Sequence, residues 1–241
     1  MKKKITSRGV LIATLFMGIS MSLSSCVSEW LFGPTLHYPH FLSAFVKPSA
    51  FTLEKYVPRD STENTYICTI ELFDVENRYP KHFSYDGRDS SIMNFLVSIG
   101  DTHYPDRMPY EQKVRRATGL MATPKNMVVT CDHNYSETLK AGTPLNDVLY
   151  LRFFDYLQYI QNGYKSGENG GRIRLKDPVD LKRLLASDPK WWLIIDKVPE
   201  AWNGETVRFT VTMVLPTDKG DKSVTNSIDV KFPIQPQPPM Q

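Results

Sequence analysis

Val207-Arg208-Phe209-Thr210-Val211-Thr212-Met213-Val214-Leu215 is the stretch that decides the fold. Val207, Phe209, Val211, Met213 and Leu215 alternate with Arg208, Thr210 and Thr212. Only a β-strand satisfies a period of two, because successive side chains leave it on opposite faces. Pro216-Thr217-Asp218-Lys219-Gly220 supplies turn chemistry. Val224, Ile228, Val230 and Phe232 then alternate with Ser223, Thr225, Ser227, Asp229 and Lys231. The two runs read as an antiparallel hairpin with one buried face and one solvated face.

Outward from the hairpin, other strands follow the same logic. Tyr66 to Val75 is rich in β-branched and aromatic residues and reads as a strand. Ser91 to Gly100 repeats the pattern, with Met93, Phe95, Val97 and Ile99 on one side, and Asn126 to Cys131 is a third short apolar run. Leu145 to Ile160 fits either a buried strand or a helix segment. One helix is expected after Asp177, which suits the cap, with Pro178 in the first helical position and Leu181, Leu184 and Leu185 on one face. Asn162 to Gly171 is Gly-rich and reads as a hairpin tip.

These signals predict a mainly β fold, an antiparallel β-sandwich of immunoglobulin-like type with one or two short helices. The expected organisation is a leader over 1–25, an aromatic-rich segment over 26–50, a single β-rich domain over 51–232, and a Pro-rich loose tail over 233–241. Trp30, Leu31, Phe32, Tyr38, Phe41 and Phe45 make the second segment too apolar for a solvated linker, so it is expected to pack against the domain or the membrane face.

Charge excludes some functions. The chain carries 29 basic and 26 acidic residues, a formal charge of +3. Residues 1–25 hold four of the basic residues and none of the acidic ones, which leaves 25 against 26, a charge of −1. No basic surface for nucleic acid is supported.

The chemistry-bearing residues form few convincing constellations. His37-Tyr38-Pro39-His40 has two imidazoles at a zinc-compatible spacing, but Pro39 opposes a helix and no further ligand is near. Asp101 with His103, and Cys131-Asp132-His133, lack the context of a triad or thiol site. Gly167-Glu168-Asn169-Gly170-Gly171 lacks the Lys-Ser/Thr ending of a phosphate loop. Trp191-Trp192 is the most interesting pair. On a strand the two indoles point to opposite faces, so one lies in the core while the other is placed to stack on a sugar or a partner's side chain. Trp202, in a Pro/Gly-flanked loop, is a candidate to join it; the competing reading is that Trp191 and Trp192 are both core residues, or that one is core and the other is covered by the helix at Asp177. Asn134-Tyr135-Ser136 forms an N-glycosylation sequon.

The N-terminus supplies an address. Lys2, Lys3, Lys4 and Arg8 precede a mostly apolar run of 14 residues, Val10 to Leu23, too short to span a bilayer, which needs roughly 20. Leu23-Ser24-Ser25-Cys26 resembles the lipobox of bacterial lipoproteins. The resemblance implies removal of the leader and acylation of Cys26, so that a covalent lipid holds the chain to a membrane at about 0.8 kcal/mol per buried methylene. No other cofactor is expected. Val27 after the cysteine, by resemblance to Gram-negative sorting, implies the outer membrane, facing either the periplasm or the cell surface. In such an oxidising compartment Cys68 and Cys131 are a candidate disulfide, closing a loop of about sixty residues at a constraint on the order of 4 kcal/mol; two separate buried thiols are the alternative.

Asp60-Ser61-Thr62 matches the acceptor pattern of Bacteroidales O-glycosylation, which makes Ser61 a candidate acceptor. The aromatic segment after Cys26, Gly142-Thr143-Pro144-Leu145-Asn146-Asp147, the Trp191 to Pro199 strand and the C-terminal hairpin together resemble Bacteroidales lipoproteins of about 200 residues. Those families carry no assigned activity, so the resemblance implies no site residues. The leading expectation is a non-enzymatic envelope lipoprotein that binds a protein or glycan partner. A fimbrillin-like structural or adhesive subunit and an envelope hydrolase acting on glycan or peptidoglycan are the alternatives.

Overall fold

The computed structural model describes residues 40–56, 65–76, 81–82, 90–104, 117–165, 170–176 and 180–234. Eleven strands and two α-helices lie in them: β1 (Leu42–Val46), β2 (Ala50–Lys55), β3 (Tyr66–Phe73), β4 (Lys81–His82), α1 (Ser90–Ile99), β5 (Ala117–Leu120), β6 (Asn126–Cys131), β7 (Leu149–Phe154), α2 (Tyr156–Gln161), β8 (Gly170–Arg174), β9 (Lys190–Ile195), β10 (Thr206–Thr217) and β11 (Gly220–Lys231).

The hairpin is as expected. β10 and β11 pair antiparallel from Thr206 opposite Lys231 to Thr217 opposite Gly220. Val207, Phe209, Val211, Met213 and Leu215 are fully buried, while Arg208 is exposed and Thr210 and Thr212 are half-buried. β6 adds to the other side of β10, giving a three-stranded sheet in the order β11-β10-β6.

A five-stranded antiparallel sheet, β2-β3-β9-β7-β8, faces it. Phe51, Cys68, Ile70, Leu151, Phe153, Trp191 and Leu193 from this sheet share one core with the buried side of β10. Each large apolar side chain so buried contributes about 1.5–3 kcal/mol. Asn226 on β11 donates from its side-chain amide to the Phe51 carbonyl at 2.7 Å, linking the sheets along one edge. The fold is a mainly β sandwich.

A third sheet, β4-β1-β5, contains a parallel pair, β1 with β5. It carries a second core in which Phe41, Leu42 and Phe45 meet Ile92, Leu96, Ile99, Tyr104, Tyr159 and Ile160. Residues 40–46 thus belong to the folded body, and the boundary drawn after residue 50 falls inside β2.

Both α-helices end the same way. At α1, the Gly100 N–H donates to Val97 at 3.1 Å and the Asp101 N–H to Leu96 at 2.9 Å. At α2, the Gly163 N–H donates to Ile160 and the Tyr164 N–H to Tyr159, each at 3.0 Å. These are Schellman closures, which need a left-handed residue after the cap; Gly100 and Gly163 supply it at φ 81° and 68°. The residues that follow, Asp101 and Tyr164, are joined: the Tyr164 hydroxyl donates to Asp101 Oδ1 at 2.9 Å. The same carboxylate accepts the N–H groups of Phe41 at 2.8 Å and Leu42 at 2.9 Å. One buried Asp therefore pins the start of β1 to the ends of both helices.

Three expectations are corrected. Ser91 to Gly100 is not a strand but most of α1, with Ile92, Leu96 and Ile99 buried at helical spacing. The helix expected after Asp177 is, in its described part, a single 3-10 stretch, Asp180–Leu184, that buries Leu181 and Leu184; Asp177 and Pro178 lie outside the described residues. The ambiguous run from Leu145 resolves into β7 followed by α2, with Asp155 capping the helix by accepting the Gln158 N–H at 3.0 Å. The tail from residue 235 lies outside the described residues.

Candidate functional site

Antiparallel pairing builds the site by lining up side chains that are far apart in sequence. One row crosses the outer face of the five-stranded sheet from Glu54 through Thr69, Trp192 and Arg152 to Arg172. A second runs from Tyr66 through Ile194 and Tyr150 to Arg174. A third places Glu71 opposite Lys190, and Phe154 opposite Gly170. Neighbouring strands lie about 4.8 Å apart, so each row brings its side chains into contact range.

Aromatic groups crowd the middle of this face. Phe154 is 44 % exposed, the one large exposed aromatic among the described residues. Its ring meets the half-buried Trp192 edge to face, with centroids 5.7 Å apart, and lies parallel to Tyr156 at 6.4 Å. Tyr56 and Tyr66 stack at 4.5 Å. Gly170, opposite Phe154, offers no side chain to cover that ring.

Cations flank the aromatics. Arg152 donates from Nη1 to the Tyr66 hydroxyl at 2.6 Å. The Arg172 guanidinium carbon sits 3.7 Å above the centre of the Tyr150 ring, and that of Arg174 sits 4.4 Å from it. Charge is neutralised unevenly. Lys190 Nζ lies 3.3 Å from Glu54 and 3.9 Å from Glu71, and Arg174 lies 3.2 Å from Asp196. Among the described residues no carboxylate pairs with Arg152 or Arg172. At the rim, burial raises the Asp188 carboxyl pKa, opposed by the Lys190 N–H that it accepts at 2.8 Å. The Tyr156 hydroxyl, which donates to Asp188 at 3.1 Å, is pushed up by burial and by that carboxylate.

Of the tryptophans singled out from sequence, Trp192 alone reaches this face. Trp191 is fully buried and donates from its indole to the Asp188 carbonyl at 2.8 Å, so it is a core residue. Trp202 is likewise fully buried, between Phe209 and Phe232, with its indole donating to the Asn134 carbonyl at 3.0 Å. Neither is available for stacking on a ligand. Alternation along Leu149–Phe154 and Gly170–Arg174 could have flagged Tyr150, Arg152, Phe154, Arg172 and Arg174, which the sequence reading missed.

Cys68 and Cys131 are free and buried, one in each sheet of the sandwich, which is the arrangement of two separate buried thiols rather than the candidate disulfide. Burial pushes the Cys68 thiol up to about 12, and raises that of Cys131, which donates to the His133 carbonyl at 3.0 Å. Asp101 is taken up by backbone and Tyr164 as described, and the His40 ring nitrogen contacts the Asp101 carbonyl. Among the described residues no His, Cys, Asp or Glu group is arranged to hold a metal ion. Cys26, His37, Ser61 and the Gly167–Asn169 loop lie outside the described residues. No protein-family model, curated protein or solved structure matches the chain.

Proposed function

We propose that this chain is a non-enzymatic envelope lipoprotein, anchored to the outer membrane through Cys26, that binds a protein or glycan partner on the outer face of its five-stranded sheet. The observation that carries the binding reading is the half-open aromatic pair Phe154 and Trp192 beside Arg152 and Arg172. Solvent-facing strand positions ordinarily hold small polar or mixed-charge side chains, as Thr210, Thr212, Ser227 and Thr225 do on the other sheet. A face that instead exposes an aromatic ring next to like charges departs from local stability rules, and such departures concentrate at working sites. Trp, Tyr and Arg are also the residues that dominate recognition surfaces, because they bury large areas and keep directional donors.

The anchor reading rests on Leu23-Ser24-Ser25-Cys26 behind a basic, then apolar leader. Changing Phe154 and Trp192 together to Ala is expected to abolish retention of the purified chain on isolated cell-envelope material without unfolding the sandwich. Undiminished retention would refute the site. Cys26→Ser is expected to move the chain from the membrane pellet to the soluble fraction, and continued pelleting with the leader still cleaved would refute the anchor.

A further inference from the structure

Resting on that binding face, we infer that its ligand is an acidic glycan, a polysaccharide bearing carboxylates on its sugar rings, with the carboxylate taken by Arg152 and Arg172. Charge complementarity is the first argument. The two guanidinium-bearing residues are register partners across β7 and β8, and among the described residues neither has a carboxylate partner. Lys190, on the same face, is held between Glu54 and Glu71, so the unmatched positive charge is concentrated at the β7–β8 side. Arg152 commits one of its five donors to Tyr66, and Arg172 rests on the Tyr150 ring. Both forks are thus oriented by aromatic neighbours while keeping donors for an oxygen pair, which a guanidinium grips in bidentate fashion.

The second argument is the chemistry of the adjoining surface. A carboxylated pyranose has an apolar face of C–H groups and a carboxylate at its rim. Phe154 and Trp192 offer rings for the first, and Arg152 and Arg172 offer donors for the second. Arg152 is opposite Trp192 in register, while its guanidinium reaches Tyr66 and that of Arg172 lies over Tyr150, so the carboxylate donors and the rings occupy neighbouring rows of one face and adjoining sugars of a chain can meet them in turn. The inter-strand spacing of about 4.8 Å is close to the advance of a polysaccharide per sugar, so a chain crossing the strands would present successive rings to successive strands.

Calorimetric titration of the full chain in detergent tests this, with polygalacturonate, alginate and hyaluronate as carboxylated probes. Methyl-esterified polygalacturonate and dextran sulfate serve as controls. At least one carboxylated polymer is expected to bind; if it is polygalacturonate, esterification should weaken binding by about tenfold or more. Arg152→Gln with Arg172→Gln should weaken binding of the carboxylated polymer to a similar extent, whereas Arg152→Lys with Arg172→Lys, which keeps charge but loses the fork, should fall between. Three results overturn the assignment: no carboxylated polymer binds, the ester binds as well as the acid, or dextran sulfate binds as tightly as any carboxylated polymer. If the ester and the acid bind alike and Trp192→Ala abolishes both, the sheet face survives as a binding surface and the acidic glycan does not. A defined envelope protein bound through Trp192, without polysaccharide binding, has the same consequence.

Discussion

Arg152 and Arg172 stand directly opposite one another on β7 and β8, on the exposed side of the sheet. Like charges in that relationship destabilise a sheet by roughly 0.2–1 kcal/mol. A double-mutant cycle with Arg152→Gln and Arg172→Gln should therefore return an unfavourable coupling of that size at low salt, measured by denaturant unfolding. The coupling should shrink towards zero at 0.5 M salt as screening shortens the reach of the charges. A favourable coupling would mean that the pair is bridged and not poised for a ligand.

The two glycines that open β8 should respond in opposite ways. A Cβ on Gly171 would lie 2.4 Å from the Phe153 ring, whereas one on Gly170 would meet nothing within 4 Å. Gly171→Ala is expected to destabilise the fold by about 1–3 kcal/mol through overpacking. Gly170→Ala should be neutral or slightly stabilising, since glycine weakens a strand by roughly 0.5–1 kcal/mol relative to alanine. Thermal unfolding of the two variants checks the order.

Asp101 gathers three donors on one carboxylate, from Phe41, Leu42 and Tyr164. Asp101→Asn places an amide N–H where an acceptor is needed and should lose about 1–3 kcal/mol by leaving a buried donor unmatched. Tyr164→Phe removes the bond to Asp101 and the one the hydroxyl accepts from the His103 N–H at 3.4 Å, and should lose about 1–2 kcal/mol. Hydrogen exchange should show faster opening of the Phe41 and Leu42 amides in both variants, more so in Asp101→Asn.

Alkaline stability should report Cys68. The folded chain holds that proton up to about pH 12, whereas an unfolded thiol releases it near 9.0. Between these values the unfolded state binds fewer protons, so stability falls as pH rises, by up to about 1.4 kcal/mol per pH unit from this group, and below pH 9 the group contributes nothing. Cys68→Ala should flatten the decline above pH 9 even though it removes core packing. At pH 8, iodoacetamide should leave Cys68 unmodified in the native chain and label both Cys68 and Cys131 after unfolding in non-reducing buffer.

The hairpin was legible because β10 has one wet face and one dry face, so its alternation is unbroken. Ser91–Ile99 was misread because the polar positions that separate a helical stripe from a strand face are too few there. Met93, Phe95, Val97 and Ile99 satisfy one period, and Ile92, Leu96 and Ile99 the other. The division of Trp191 from Trp192 between two faces followed from strand geometry and holds, with Trp191 as the inner one. Trp202 was misplaced because its loop packs back over Phe209 and Phe232, a tertiary contact with no local trace. The site itself depends on register. Arg152, Arg172 and Trp192 become neighbours only when β7 pairs with both β8 and β9, and each segment alone shows no more than an exposed cation or ring.

Photo-crosslinking in the native cell compares the two outer faces of the sandwich most directly. A benzoylphenylalanine placed at Phe154, on the five-stranded sheet, is expected to yield a covalent adduct with envelope glycan or protein. The same group at Thr225, on the three-stranded sheet, should yield none. Adducts from Thr225 with none from Phe154 would contradict the account.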